Sequence, residues 1–296
     1  MRAVAAARGP EKSENADATV APKDDKGHLI VVSSQKGGTG KSTIAFHLAV
    51  SLLRRPSSVH TIDLDSEQGS LTRYVENRRA YMARTGAVLP IPRHATISPS
   101  VMKDRDEARA DELERLGAIL AHAVSTHDFV VVDTAGSAAF LGRVAHEFAD
   151  TVVTPLNDSL LDLDVLALVD PETRRVIRRS AYTGLVMDAI ANRRARGHGE
   201  TTWAVVRNRL TMLDSRNKRQ MLDLVQALSR EMGFEVAAGI SERVVFREMF
   251  LDGLTLLDLR DADAEVQLSM SHVAARQEFA ALLEVLDLPR RTARTG

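Results

Sequence analysis

The sequence predicts a doubly wound α/β fold: a mostly parallel sheet with helices on both faces. Three observations predict it. Short apolar runs recur along the chain with little internal alternation, as parallel strands covered on both faces require. Segments of helical period separate them, which implies crossover connections. A glycine-rich string, Lys36-Gly37-Gly38-Thr39-Gly40-Lys41-Ser42-Thr43, joins the first apolar run to the first helical one.

Taken in order, residues 1–27 are rich in Ala, Lys, Glu and Asp and read as a disordered tail. The folded domain is expected over 28–288. Its strands are read at His28–Ser34, Ser58–Asp63, Phe129–Asp133, Thr151–Pro155 and Thr202–Val206. A helix starts after the glycine string, and further helical patterns lie at about 69–84, 106–125, 138–148, 215–232 and 270–286. Residues 289–296 read as a frayed basic end.

The 296 residues are 44% hydrophobic, enough for a sizeable core. No stretch approaches the roughly 18 uninterrupted apolar residues of a membrane span. The first residues lack an apolar signal core, so export is not expected. The absence of cysteine excludes disulfides and Fe–S clusters and fits a reducing cytoplasm. Net charge is −1, yet residues 172–219 hold twelve Arg/Lys against four acids. That asymmetry suggests either a polyanionic partner or a solvated helical face.

The glycine string has the strand–loop–helix context of a phosphate-binding loop. Gly37, Gly38 and Gly40 let the backbone turn N–H groups toward phosphate oxygens, with Thr39 and Thr43 in the same cradle. The helix that follows aims its positive dipole end at the same anion. Lys41 is placed to reach the β- and γ-phosphates of a nucleotide, and the Ser42 hydroxyl to bind Mg²⁺. Lys36 is a second lysine, at a position where an ordinary loop has glycine.

Asp133 ends the strongest apolar run, where open α/β sheets bind ligands, and is expected in the Mg²⁺ shell. Thr134-Ala135-Gly136 follows, its glycine able to sense a γ-phosphate. Asp63 and Asp65 end the second strand with alternate spacing. Asp65 is favoured to orient the attacking water and Asp63 to support the metal. Asn208 follows the fifth strand; its amide matches an adenine edge, but a simple turn asparagine reads equally well. Arg216, Lys218 and Arg219 crowd the first turn of a helix capped by Asp214 or Ser215. Cations there oppose the helix dipole, but they suit a phosphate backbone; with Arg209 they form the candidate DNA-binding set. Aromatic residues make up only 4% of the chain, which disfavours base stacking and favours duplex backbone contact. The histidines show no metal-ligand spacing, and no serine-centred nucleophile motif is present.

The loop with its extra lysine resembles the deviant Walker A motif of the ParA/MinD family of ATPases. Ile62-Asp63-Leu64-Asp65, Glu76–Ala80, Val152–Ser159, Arg207–Leu210, Gly253–Leu259 and Ala274–Glu278 extend the resemblance and narrow it to a branch that positions the division site. The resemblance implies a SIMIBI-type P-loop NTPase that takes ATP and Mg²⁺ and forms a homodimer when ATP-bound. In it Lys36 of each subunit crosses to the partner's nucleotide, Asp65 serves hydrolysis and Asn208 contacts adenine. It further implies nonspecific duplex DNA, ParB and FtsZ as partners, inhibition of FtsZ assembly, no stable membrane association, and a cytoplasmic, nucleoid-associated distribution graded from the poles. A DNA-partitioning ATPase of ParA type is the alternative. A MinD-like membrane switch is disfavoured, because residues 270–286, with Glu278 and Glu284, look like a domain-closing helix. Two features depart from the family. Asp133-Thr134-Ala135-Gly136 lacks the proline common at Ala135, which loosens that loop. The arginine-rich stretch 174–196 is more basic than the branch leads one to expect, and extends the DNA footprint or forms an exposed helix.

Overall fold

The computed structural model describes residues 26–136, 140–170, 172–173, 175–210, 216–258 and 270–290, without the side chains of 216–218. Strand β1 (His28–Val32) lies near the middle of a seven-stranded sheet, between β4 (Phe129–Asp133) and β5 (Thr151–Asn157). Beyond β4 come β2 (Val59–Asp63) and then β3 (Arg93–Thr96) at one edge. Beyond β5 come β8 (Thr202–Leu210) and then β9 (Glu235–Ser241) at the other. All six pairings are parallel. A separate antiparallel ribbon joins β6 (Ala167–Val169) to β7 (Val176–Arg179).

The sheet is sandwiched between two apolar layers. Leu29, Val31, Val130 and Val132 face α3 (Arg105–Thr126), α4 (Phe140–Phe148), α5 (Ala181–Ala195) and α6 (Arg216–Met232). Ile30, Val32, Phe129 and Val131 face α1 (Lys41–Leu53), α2 (Ser70–Thr85) and α8 (Met270–Val285). Adjacent residues of one strand thus enter opposite cores, which is why the strands read as continuous apolar runs. Helix α8 closes the second layer through Phe279 and Leu282, as expected of residues 270–286.

The elements not read from the sequence are β3, β6, β7, β9, α7 (Val245–Leu251) and the 3₁₀ turn Leu160–Val165. Strand β3 is a four-residue polar edge strand, and β9 is built largely of small residues. The arginine-rich stretch is two elements, the β7 ribbon strand and α5, whose cap Ser180 accepts the Thr183 N–H at 3.0 Å. Helix α7 spans only seven residues. Of the expected tails at 1–27 and 289–296, residues 1–25 and 291–296 lie outside the described residues, as do the caps Asp214 and Ser215.

A buried ion pair ties α2 to the chain after α7. Arg78 and Asp258 are wholly buried and joined by two hydrogen bonds of 2.8 Å. Asp258 also accepts from Arg54 at 2.8 Å and from the Thr255 N–H and hydroxyl at 2.7 Å each. These donors hold its carboxyl down at about 2, against the pull of burial. Gly253 is required beside them: its φ is +60°, and a Cβ there would lie 2.1 Å from the Arg78 backbone nitrogen.

Candidate active site

The carboxyl ends of the central strands open into a cleft of about 1150 Å³ that contains the glycine loop, Asp65, Gly136 and Asn208. Gly40 forms the N-cap of α1 with φ +89°. A Cβ there would sit 2.3 Å from Asn208 Nδ2, so glycine is required for space as well as for conformation. The Asn208 amide donates to the Thr39 carbonyl at 2.7 Å, and its Oδ1 accepts the Arg209 N–H at 2.9 Å. Strand β8 therefore braces the loop. Asn208 lines the cleft, and beyond these two bonds it keeps one amide N–H and one Oδ1 lone pair.

Lys41 is buried in the cradle, with Nζ donating to the Lys36 carbonyl at 3.2 Å. Burial lowers its pKa, against the opposing pull of Asp133 and Asp65. The Thr39 hydroxyl donates to the same carbonyl at 3.4 Å, and the Tyr74 hydroxyl to Thr43 Oγ1 at 3.2 Å. The Lys36 side chain is 46% exposed at the rim, and its ammonium pairs with Asp162 in the 3₁₀ turn Leu160–Val165 of the same chain.

Asp133 and Asp63 are register partners at the ends of β4 and β2, and both are buried. Burial raises the Asp133 pKa. A hydrogen bond from Ser42 opposes this, and the charge of Asp63 adds to it. Asp133 Oδ1 has no hydrogen-bond partner. A buried carboxylate oxygen without a donor, next to the loop hydroxyl, fits a hard cation, and Mg²⁺ is commonly held by one or two carboxylates plus substrate phosphates. The residues present therefore fit Mg²⁺, with Ser42 and Asp133 to hold it. Asp63 has other partners: Oδ1 accepts the Asp65 N–H at 2.9 Å, and Oδ2 accepts the Thr72 N–H and hydroxyl at 2.9 and 2.8 Å. The support expected of it is exerted on the Asp65 loop and on α2. Asp65 lines the cleft, near enough to shift the proton affinity of Lys41 and Asp133. Gly136 approaches the loop closely: a Cβ there would meet Gly37 N at 3.2 Å and Lys41 Nζ at 3.3 Å.

Of the four candidate DNA-binding residues, the side chains of two are described. Arg209, with φ +55°, lines the cleft. Arg219 is exposed on α6, whereas the side chains of Arg216 and Lys218 lie outside the described residues. Part of the basic stretch is matched by acids: Arg193 pairs with Asp150, Arg194 with Glu200, Arg196 with Glu147 and buried Arg207 with Asp158. Asp162, Thr72 and Tyr74 are site residues that the sequence did not single out, since none carries a motif. Among the described residues, no His/Cys/Asp/Glu group of three forms a metal cage, and no helix is long and apolar enough to cross a membrane.

A glycine loop that turns from the central strand into α1, with acids at the neighbouring strand ends, defines a P-loop nucleoside triphosphatase, and its second lysine marks the ParA/MinD class. Comparison narrows this. The family model described as ATPase MipZ matches residues 28–290, and the chain belongs to that family of ATPases. The chromosome partitioning protein ParA of Myxococcus xanthus is 22% identical over 275 residues, covering 85% of this chain and 89% of that protein. Cytosolic Fe–S cluster assembly factor cfd1 of Aspergillus clavatus is 34% identical over 80 residues; the match covers 27% of this chain and only 25% of that protein. Among solved structures, apo McdA from Cyanothece aligns with a TM-score of 0.57 at 17% identity, covering 88% of this chain and 99% of McdA. Septum site-determining protein MinD of Pyrococcus horikoshii, complexed with Mg-ADP, aligns at 0.50 with 15% identity, covering 86% and 94%. The structural likenesses show a shared fold.

Proposed function

We propose that this chain is an ATP-dependent dimerisation switch that positions the division site. The observation that carries the reading is the division of labour between two lysines. Lys41 is buried inside the cradle and is suited to one nucleotide's phosphates. Lys36 stands at the rim, where its charge can leave Asp162 and meet the phosphates of a facing subunit. Two facing triphosphates repel each other unless cations are supplied across the interface. Mg²⁺, held by Ser42 and Asp133, would supply positive charge to offset that of the phosphates. The chain's own residues do the rest: the loop N–H groups and Lys41 bind phosphate, Ser42 and Asp133 hold the cation, and Asp65 orients the attacking water. The dimer binds nonspecific duplex DNA through Arg216, Lys218, Arg219 and Arg209, associates with ParB and inhibits FtsZ assembly; hydrolysis releases it. These partners rest on membership of the family.

Sedimentation of wild type and Lys36→Ala, each with and without ATP, tests the switch. The expected result is a dimer formed only by the wild type with ATP; equal dimerisation by Lys36→Ala refutes it. The similarity to ParA favours a second output, chromosome or plasmid partitioning with the same chemistry. Polymerisation of FtsZ in the presence of the ATP-bound dimer separates the two, and no effect removes the division reading.

A further inference from the structure

We infer that Thr72 and His94 are positioning residues for ATP hydrolysis, acting through Asp63 to fix Asp65. The inference rests on the proposed role of Asp65 as the residue that orients water. The cap Gly69 of α2 contributes no side-chain bond to its helix. The first-turn N–H of Thr72 is instead satisfied by Asp63, reaching across from the end of β2 at 2.9 Å. The same Asp63 oxygen takes the Thr72 hydroxyl proton at 2.8 Å, while its other oxygen takes the Asp65 N–H at 2.9 Å. One buried carboxylate thus joins the start of α2 to the backbone of Asp65.

The Thr72 hydroxyl, having donated to Asp63, needs a donor of its own. His94 Nε2 lies 3.1 Å away, and His94 Nδ1 lies 2.9 Å from Thr61 Oγ1. Thr61 and His94 are register partners on β2 and β3. With its proton on Nε2, a neutral His94 donates to Thr72 and Thr72 to Asp63, while the one Thr61 hydroxyl proton is shared between His94 Nδ1 and the Arg93 carbonyl, 3.1 Å away. Remove the Thr72 hydroxyl and Asp63 keeps only its two backbone N–H donors, so the carboxylate that accepts the Asp65 N–H is held less firmly. A displacement of about 1 Å at a residue that orients a nucleophile costs on the order of 100-fold in rate. A cap that served only stability would instead lower melting temperature and leave turnover per folded molecule alone.

Hydrolysis of Mg-ATP by the full chain, at a protein concentration where turnover no longer rises, tests this. Thr72→Val keeps the shape and removes the hydroxyl. It is expected to lower kcat about tenfold or more, with the KM for ATP and the affinity for ADP within about twofold. Thr72→Ser is expected to restore kcat to within about twofold of wild type. His94→Leu is expected to give a smaller loss of the same kind, and carries the test if Thr72→Val does not fold. Unchanged kcat in Thr72→Val and His94→Leu, with Asp65→Asn inactive, overturns the inference while leaving the role of Asp65 intact. Loss of kcat matched by loss of ADP affinity and melting temperature, without recovery by serine, overturns it as well. Wild-type turnover in Asp65→Asn removes the reading of Asp65 itself, and the inference with it.

Discussion

Replacing Asp258 by alanine removes the acceptor of five hydrogen bonds and the counter-charge of a guanidinium that is wholly buried. Arg78 is then left with the Pro90 and Gly253 carbonyls, at 2.8 and 2.9 Å, as its remaining acceptors. Two carbonyl dipoles do not compensate a buried positive charge, and breaking a buried pair from one side costs about 3–5 kcal/mol. Domains typically have 5–15 kcal/mol in total, so the variant should remain folded but lose a large share of its margin. The magnitude can be approached independently. A carboxyl held at about 2, against a reference of 3.8, corresponds to roughly 2 kcal/mol of stability. That is smaller than the truncation cost, because protonating Asp258 leaves most of its hydrogen bonds in place. Urea unfolding at neutral pH measures the difference: the midpoint should fall with the slope unchanged. The double variant Arg78→Leu/Asp258→Leu should cost less than the sum of the two single changes. A loss under about 1 kcal/mol for Asp258→Ala, or strict additivity in the double variant, would refute the reasoning. Because the Asp258 pKa is depressed, its contribution is present above pH 3.8 and is lost as pH falls through about 2.

Four further outcomes are expected. Lys41→Ala should abolish nucleotide binding by titration calorimetry; wild-type affinity in that variant would falsify the loop assignment. Gly40→Ala places a Cβ against Asn208 at a positive φ, so nucleotide affinity should fall about tenfold or more, the equivalent of about 1.4 kcal/mol or above. His47 donates from Nδ1 to the Thr43 carbonyl and accepts the Leu256 N–H at Nε2, and burial lowers it and His146 from 6.5 to about 4. Both bind protons only on unfolding in that window, so stability should drop as pH falls from 6.5 to 4, and His146→Phe should flatten the slope of midpoint against pH. Replacing Arg216, Lys218 and Arg219 with alanine should weaken duplex DNA binding and reduce the dependence of log affinity on log salt by up to about three; an unchanged slope moves the footprint off α6.

The parallel sheet was legible because Phe129–Val132 and its companions bury both faces, and that leaves an unbroken apolar signature. The glycine loop was legible because its geometry demands glycine at fixed spacing. Strand β3 was not: Arg93-His94-Ala95-Thr96 is half covered, and its side chains are chosen for hydrogen bonds rather than burial. Helix α5 was read only as one of two alternatives, an exposed helix, because Arg193, Arg194 and Arg196 suggested a surface run, whereas Tyr182 and Val186 carry it into the core. At the site, the acids were identifiable from their strand-end positions, but their partners were not. That Asp63 caps α2, or that Asn208 is bonded to Thr39, depends on contacts spanning 9 and 169 residues, which no local pattern encodes.

The sheet has two outer strands, and neither is a good template for another chain. Strand β3 is four residues long and polar. Strand β9 breaks register with β8 near its end, where Glu278 of α8 takes the Ser241 N–H and hydroxyl at 3.0 and 2.8 Å. Short, interrupted or occupied margins discourage strand addition and the runaway stacking that follows from it. The two margins therefore leave little for self-association by extending the sheet.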